Sequence, residues 1–193
     1  QWLQNPYPLT ATLRGRKVGI LGLGRIGKAI ARRLEARELE IEYHGRKPQP
    51  DVKYRYHPTL LGLAQSCDVL MVVASGGAET RHIVNQEVLE ALGPDGILIN
   101  VGRGSVVDEQ ALIHALRDKK ILSAGLDVFE DEPRVPAELI AMEHVVLLPH
   151  VGSASVHTRN AMGQLVVDNL VSWFGGKGAV TPVPECQALA ASK

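Results

Sequence analysis

A chain of 193 residues with 21 basic and 21 acidic side chains has a formal net charge of zero and no long run of one sign, which argues against nucleic acid, other polyanions and anionic membrane surfaces as partners. Its length suits one large domain burying about 70% of its unfolded surface, so the fold needs no staples. Cys67 and Cys186 lie far apart without metal-ligand spacing, and no stretch has the pattern of a membrane span or signal peptide, so no disulfide framework, zinc or membrane association is expected and a reducing cytoplasm fits best.

Residues 1–16, with Trp2, Pro6, Tyr7 and Pro8 and no periodicity, read as an extended lead-in. The chain opens on Gln1 rather than Met, so a piece of a longer protein is expected. Val18, Ile20 and Leu21 then form an apolar run without alternation, the pattern of a strand buried on both faces. In Gly22-Leu23-Gly24-Arg25-Ile26-Gly27, Gly22 allows a tight turn, Gly24 leaves room for a pyrophosphate, and Gly27 lets a helix lie close to the strand. The helix begins near Arg25, with free N–H groups and a positive dipole end that favour phosphate, and Ile26, Ile30 and Leu34 supply its apolar face. Strand, glycines and amphipathic helix in this order point to a dinucleotide site rather than a plain turn.

Glu40 to His44 reads as the second strand and runs into Gly45-Arg46-Lys47-Pro48. A carboxylate that binds the adenosine ribose usually stands at this point, about 20 residues past the glycines. Here a small Gly45 leaves space and Arg46 and Lys47 bring positive charge, a pattern suited to a 2′-phosphate and hence to NADP over NAD. A solvated basic turn is the other reading.

Val52 to Tyr56 is expected as a short third strand, Pro58 as the start of a helix through Leu60, Leu61 and Leu63, and Asp68 to Val73 as a buried strand. The loop Ser75 to Thr80 and a short helix follow, then a strand at Gly96 to Val101 closed by Gly102-Arg103-Gly104-Ser105. Asp108 caps a helix bearing Leu112, Ile113 and Leu116. Strands at Ile121 to Val128 and Val145 to Leu148 come next, the last cut off by Pro149-His150, and a long helix runs from about Ser155 to Phe174 before Gly175 and Gly176. The alternation predicts an α/β fold with a doubly wound, Rossmann-type parallel sheet over residues 17–176, and a loosely ordered tail at 177–193.

Three strands end in polar groups that an apolar strand does not need: Arg103, the Asp127/Glu132 pair, and His150. Strand ends of a parallel sheet share one edge, so these groups are candidates for convergence beside the cofactor. The set suits hydride transfer to a 2-keto acid. Arg103 would hold the substrate carboxylate, His150 would donate a proton to the carbonyl oxygen, and Glu132 would orient the imidazole and raise its pKa, with Asp127 on the nicotinamide side. Each has a plainer reading: a rim salt bridge for Arg103, a solvated acid for Glu132, a loop histidine for His150. The other six histidines show no metal spacing, and no serine lies in a nucleophile elbow.

Taken together, Gly22 to Gly27, Asn100 to Asp108, Gly125 to Pro133 and Leu148 to Ser153 resemble the D-isomer-specific 2-hydroxyacid dehydrogenases, over about residues 10 to 180. The resemblance implies Arg103, Glu132 and His150 as the catalytic trio and cofactor contacts at Arg25, Ile26, Ala74, Val101, Gly102, Arg103 and Asp127. Gly152, within the last of these motifs, and Thr80, in the loop after the fourth strand, are further cofactor-binding candidates. Gly45-Arg46 resembles the NADPH-preferring glyoxylate and hydroxypyruvate reductases within that family. The implied activity is NADP-dependent reduction of a small 2-keto acid by a homodimer. A dinucleotide-sensing association module without turnover is the alternative, against which the complete trio weighs. Two departures stand out: Ala74 to Thr80 lacks the family's prolines, and the substrate domain of about 100 residues expected ahead of the nucleotide domain is absent. Met162, Val166, Leu170 and Trp173 make an apolar row fit either for docking on that domain or for the core of this one.

Overall fold

Seven short parallel strands form one sheet in the order β3-β2-β1-β4-β5-β6-β7. In this computed structural model residues 12–183 and 186 are described; Trp2, Pro6, Tyr7 and Pro8 of the lead-in, and most of the tail, lie outside them. The strands are β1 (Lys17–Leu21), β2 (Glu40–His44), β3 (Arg55–His57), β4 (Val69–Val72), β5 (Ile97–Asn100), β6 (Ser123–Leu126) and β7 (Val145–Leu147). Between them run the helices α1 (Arg25–Glu35), α2 (Leu60–Ser66), α3 (Gln86–Leu92), α4 (Glu109–Arg117) and α5 (Ala137–Ile140), and α6 (Val156–Phe174) follows. Single 3-10 turns occur at Ala78–Thr80 and Gly104–Val106. Strand order reverses between β1 and β4, the switch point at which such sheets bind ligands.

Alternate residues of each strand go to opposite faces. Leu21, Leu70, Val72 and Leu98 join Leu63, Leu89 and Leu112 from α2, α3 and α4 in one apolar layer. Val18, Ile20, Ile41, Tyr43 and Val69 join Ala31 of α1 in the other. The run of unalternating apolar residues in β1 thus reflects helices on both sides.

Several elements differ in extent from the sequence pattern. β3 is three residues long and starts at Arg55, because residues 51 and 53 are drawn to α1 through Asp51–Lys28 (2.6 Å) and Lys53–Glu35 (2.6 Å). α2 starts after Thr59, whose hydroxyl accepts from Gly62 N (3.1 Å), and not at Pro58. Ile26 is 64% exposed, since the buried stripe of α1 centres on Gly27 and Ala31. The α4 cap matches expectation, Asp108 accepting from Ala111 N, and α6 starts near the expected Ser155, which accepts from Thr158 N.

The chain divides into two compact units, the first ending at Pro149 and the second starting at His150. The first holds the sheet and α1–α5. The second holds α6, in which no residue is buried; Val156, Val166, Val171 and Phe174 are all more than 60% exposed. Within this second unit its apolar row Met162, Val166, Leu170 and Trp173 is not buried. Among the described residues, no helix is long and apolar enough to cross a membrane.

Candidate active site

Beyond the last paired residues, the sheet continues as a file of single hydrogen bonds. Gly22 N donates to His44 O (3.0 Å), Val73 N to Leu21 O (2.9 Å), Val101 N to Val72 O (3.1 Å), Asp127 N to Asn100 O (3.0 Å) and Leu148 N to Leu126 O (2.8 Å). Six strands therefore end level with one another. That ladder brings the glycine turn, Ala74, Val101, Gly102 and Asp127 to one edge of the first unit, as the topology requires.

The glycine turn is shaped by what is missing from it. Gly22 has φ +96°, and a Cβ there would stand 2.9 Å from Ala74 N; a Cβ on Gly27 would run into the Gly22 carbonyl. Gly24 and Gly45, by contrast, have nothing within 4 Å of a Cβ position. Gly24 is the residue before α1, brings no side chain to its first turn, and no acid lies in that turn. An open backbone surface at a helix N-terminus fits a dinucleotide pyrophosphate. The open space at Gly45 lies beside exposed Arg46 and Lys47.

Arg103 stands on a loop built by Asn100, which is 1% exposed. Asn100 Oδ1 accepts from Gly102 N (3.0 Å) and Asn100 Nδ2 donates to Arg103 O (3.1 Å), so one buried amide closes the turn. Gly102 approaches Ala74 O so closely that a Cβ would come within 2.6 Å, and a Cβ on Gly104 would overlap the Phe129 carbonyl. The guanidinium is exposed at the edge and donates to Gly102 O (2.7 Å). Sequence reading missed Asn100 as a positioning residue, although an amide at the end of an apolar strand was the available signal.

The acidic segment after β6 is held from several sides. Glu132 Oε1 accepts from Phe129 N (3.1 Å), Arg134 forms a two-pronged bond to Asp131 (2.8 and 2.7 Å), and Glu130 N donates to Glu109 Oε2 (3.2 Å). Burial pushes the Glu109 carboxyl above its ordinary range, with Glu130 and Asp131 adding repulsion. Glu130 Oε1 also accepts from Arg81 (2.7 Å) and lies 2.8 Å from His82 Nε2. Arg81 follows the Ser75–Thr80 loop, which Thr80 closes without prolines by donating to Ser75 O (2.8 Å). Asp127 is buried.

His150, the first residue of the second unit, is exposed and has φ 52°, one of four described residues other than glycine with positive φ. Gly152 belongs to the same unit. Such a backbone in a histidine is uncommon and draws attention to function.

Residues 1–152 match the sequence pattern of the family described as D-isomer specific 2-hydroxyacid dehydrogenase, NAD binding domain. The chain belongs to this family. As a 2-hydroxyacid dehydrogenase nucleotide domain it is 54% identical over 183 residues to glyoxylate/hydroxypyruvate reductase A of Arabidopsis thaliana, covering 95% of this chain and 58% of that protein. It is 50% identical over 182 residues to a hydroxyphenylpyruvate reductase of Plectranthus scutellarioides, covering 94% of this chain and 58% of the relative. Among solved structures, the NADPH-dependent glyoxylate/hydroxypyruvate reductase of Sinorhizobium meliloti, crystallised with NADP and malonate, superposes with a TM-score of 0.90 at 58% identity, covering 93% of this chain and 56% of that one. The chain thus spans less than three fifths of these relatives. The Rossmann-type NAD(P)-binding fold is that of the dehydrogenase family.

Proposed function

We propose that this chain is the cofactor-binding and catalytic-residue portion of an NADP-dependent reductase of small 2-keto acids of the glyoxylate and hydroxypyruvate class, with NADPH preferred over NADH. The observation that supports the reading is the level edge of strand ends, at which the open glycine turn, the basic Gly45-Arg46-Lys47 bend and the Arg103 loop follow their strands. The similarity to the NADPH-dependent glyoxylate/hydroxypyruvate reductase of Sinorhizobium meliloti supports it.

Arg103 holds the substrate carboxylate with a planar fork. NADPH, when bound, supplies the hydride to the carbonyl carbon. His150 gives its proton to the carbonyl oxygen, so that the hydride on carbon and the proton on oxygen together complete the hydroxy acid. The role we assign to Glu132 is to orient that imidazole. Asp127 lies toward the nicotinamide, and Arg25, Ile26, Ala74, Thr80, Val101, Gly102 and Gly152 line the cofactor's path.

The complete protein carries a substrate domain outside this chain, works as a homodimer and belongs in the cytoplasm. The exposed apolar residues of α6 suit docking on that substrate domain, and the free cysteines suit a reducing compartment. Steady-state turnover of the full-length protein with NADPH and glyoxylate or hydroxypyruvate tests the activity. His150→Ala is expected to lower kcat by about a hundredfold to ten-thousandfold; undiminished turnover would remove the histidine from the mechanism. Sedimentation of the full-length protein as a monomer would overturn the dimer.

A further inference from the structure

The bend that follows β2 is tied down at both ends by side chains outside the residues assigned to the cofactor. Tyr56 Oη, on β3, donates to Gly45 O (3.2 Å). At the far end, Gln49 N donates to Tyr43 Oη (2.7 Å), and Gln49 Nε2 donates to Leu23 O (2.8 Å), inside the glycine turn. The two tyrosine rings brace each other, with centroids 5.4 Å apart at 57°. Just before the bend, His44 Nδ1 donates to His57 O (2.8 Å), and the His44 ring stacks on Tyr56. No salt bridge within the described residues engages Arg46 or Lys47, which remain exposed between these anchors.

We propose that Tyr56 and Gln49 are specificity-determining positioning residues, which hold the Gly45 to Pro48 bend at a set distance from the glycine turn and so select the dinucleotide that carries a 2′-phosphate. The proposal rests on the reading of Arg46 and Lys47 as the 2′-phosphate contacts. Long cationic side chains lose rotamer freedom on binding, and a backbone already held in place keeps that loss from growing. Gln49 has a second effect. By bonding Leu23 it joins the stretch facing the pyrophosphate to the stretch facing the ribose, so the spacing between two anion sites is set within the protein. A dinucleotide with phosphate at both sites benefits from that spacing; one lacking the 2′-phosphate uses only the glycine turn.

Equilibrium titrations of the full-length protein with NADPH, NADH, adenosine 2′,5′-bisphosphate and adenosine 5′-monophosphate test this, together with thermal midpoints. Tyr56→Phe, which removes one hydroxyl, and Gln49→Ala are each expected to weaken NADPH and the bisphosphate about fivefold, the scale of one hydrogen bond, and to leave NADH and the monophosphate within about twofold. Equal loss for both dinucleotides, or no loss for either, overturns the proposal. Arg46→Ala in the same series separates the two layers. If it leaves the NADPH to NADH ratio unchanged, the 2′-phosphate reading falls and this proposal with it. If it collapses the ratio while Tyr56→Phe and Gln49→Ala preserve it, only the positioning role falls.

Discussion

Two stretches of the sheet's carboxyl edge are made accurate in opposite ways. Around β1, β4 and β5 the chain is held by the absence of side chains: Gly22, Gly27, Gly102 and Gly104 let backbone meet backbone where a Cβ would collide. Around β2 and β3 the chain is held by side chains: Tyr43, Tyr56 and Gln49 at the bend, and Glu42, His57 and Ser66 beneath it. The first kind of region fails when atoms are added, the second when they are taken away. Steric exclusion needs only a small residue at a given place in a motif, whereas a hydrogen-bond set needs partners that the fold must first assemble.

The sharpest challenge to this contrast is Gly104→Ala. Its methyl group overlaps the Phe129 carbonyl, a backbone atom with no rotamer to move, and an expected loss of about 4 kcal/mol places it at the upper end of overpacking effects. Urea denaturation measures it, and a loss below about 1 kcal/mol would show that the Phe129 segment gives way.

Deletion is tested at Glu42, which is 0% exposed on β2. Its Oε2 accepts from His57 Nε2 (2.7 Å) and Ser66 Oγ (2.6 Å), tying β2 to β3 and α2, while Arg55 lies 3.7 Å from Oε1. Among the described residues Oε1 has no hydrogen-bond partner. Glu42→Ala is expected to cost about 3 kcal/mol, as breaking a buried ionic network does, again by denaturant unfolding; stability within about 0.5 kcal/mol of wild type would make the cluster incidental.

The same cluster predicts an acid response smaller than that loss. Burial works against the Glu42 charge, but the hydrogen bonds of Ser66 and His57 and the charges of His57 and Arg55 outweigh it and hold the pKa below the ordinary 4.5. The unfolded chain therefore takes up this proton first as pH falls. Stability from Glu42 is complete above about 4.5 and is lost as pH drops through the lower folded value. Glu42→Gln should flatten that part of the stability–pH curve, and an unchanged slope would assign the acid response to other groups. Cys67, buried beneath β1 with its thiol pushed up to about 12 by desolvation, adds nothing there.

The smallest expected effect concerns a side-chain anchor with a local partner. Asp108 Oδ1 accepts from Ala111 N (3.0 Å) at the start of α4, and Asp108→Ala should cost about 1 kcal/mol. A loss as large as that of Glu42→Ala would erase the distinction between local and assembled anchors.

That distinction governs how much could be read before the fold was known. The glycine turn, the start of α1 at Arg25, β2 at Glu40–His44, the cap Asp108 and the start of α6 near Ser155 each depend on neighbours within a few residues. The candidate residues Arg103 and Asp127 were legible for the same reason, standing where apolar strands stop. The third strand was placed early because its boundary depends on pairing with β2 and on ion pairs to α1. The buried stripe of α1 passes through Gly27 and Ala31 and leaves Ile26 exposed, which periodicity by itself did not distinguish.

The sequence alone determined the alternating α/β order, the parallel sheet and the glycine motif at the head of a dinucleotide fold, because short-range sterics and hydrophobic period are written into consecutive residues. Tertiary structure alone decided what holds the bend after β2. Gln49 meets Leu23 across 26 positions, and Ser66 meets Glu42 across 24. Contacts at that separation exist only after β2 has been laid against β1 and α2 packed on β2, and no local pattern marks the residues that will make them.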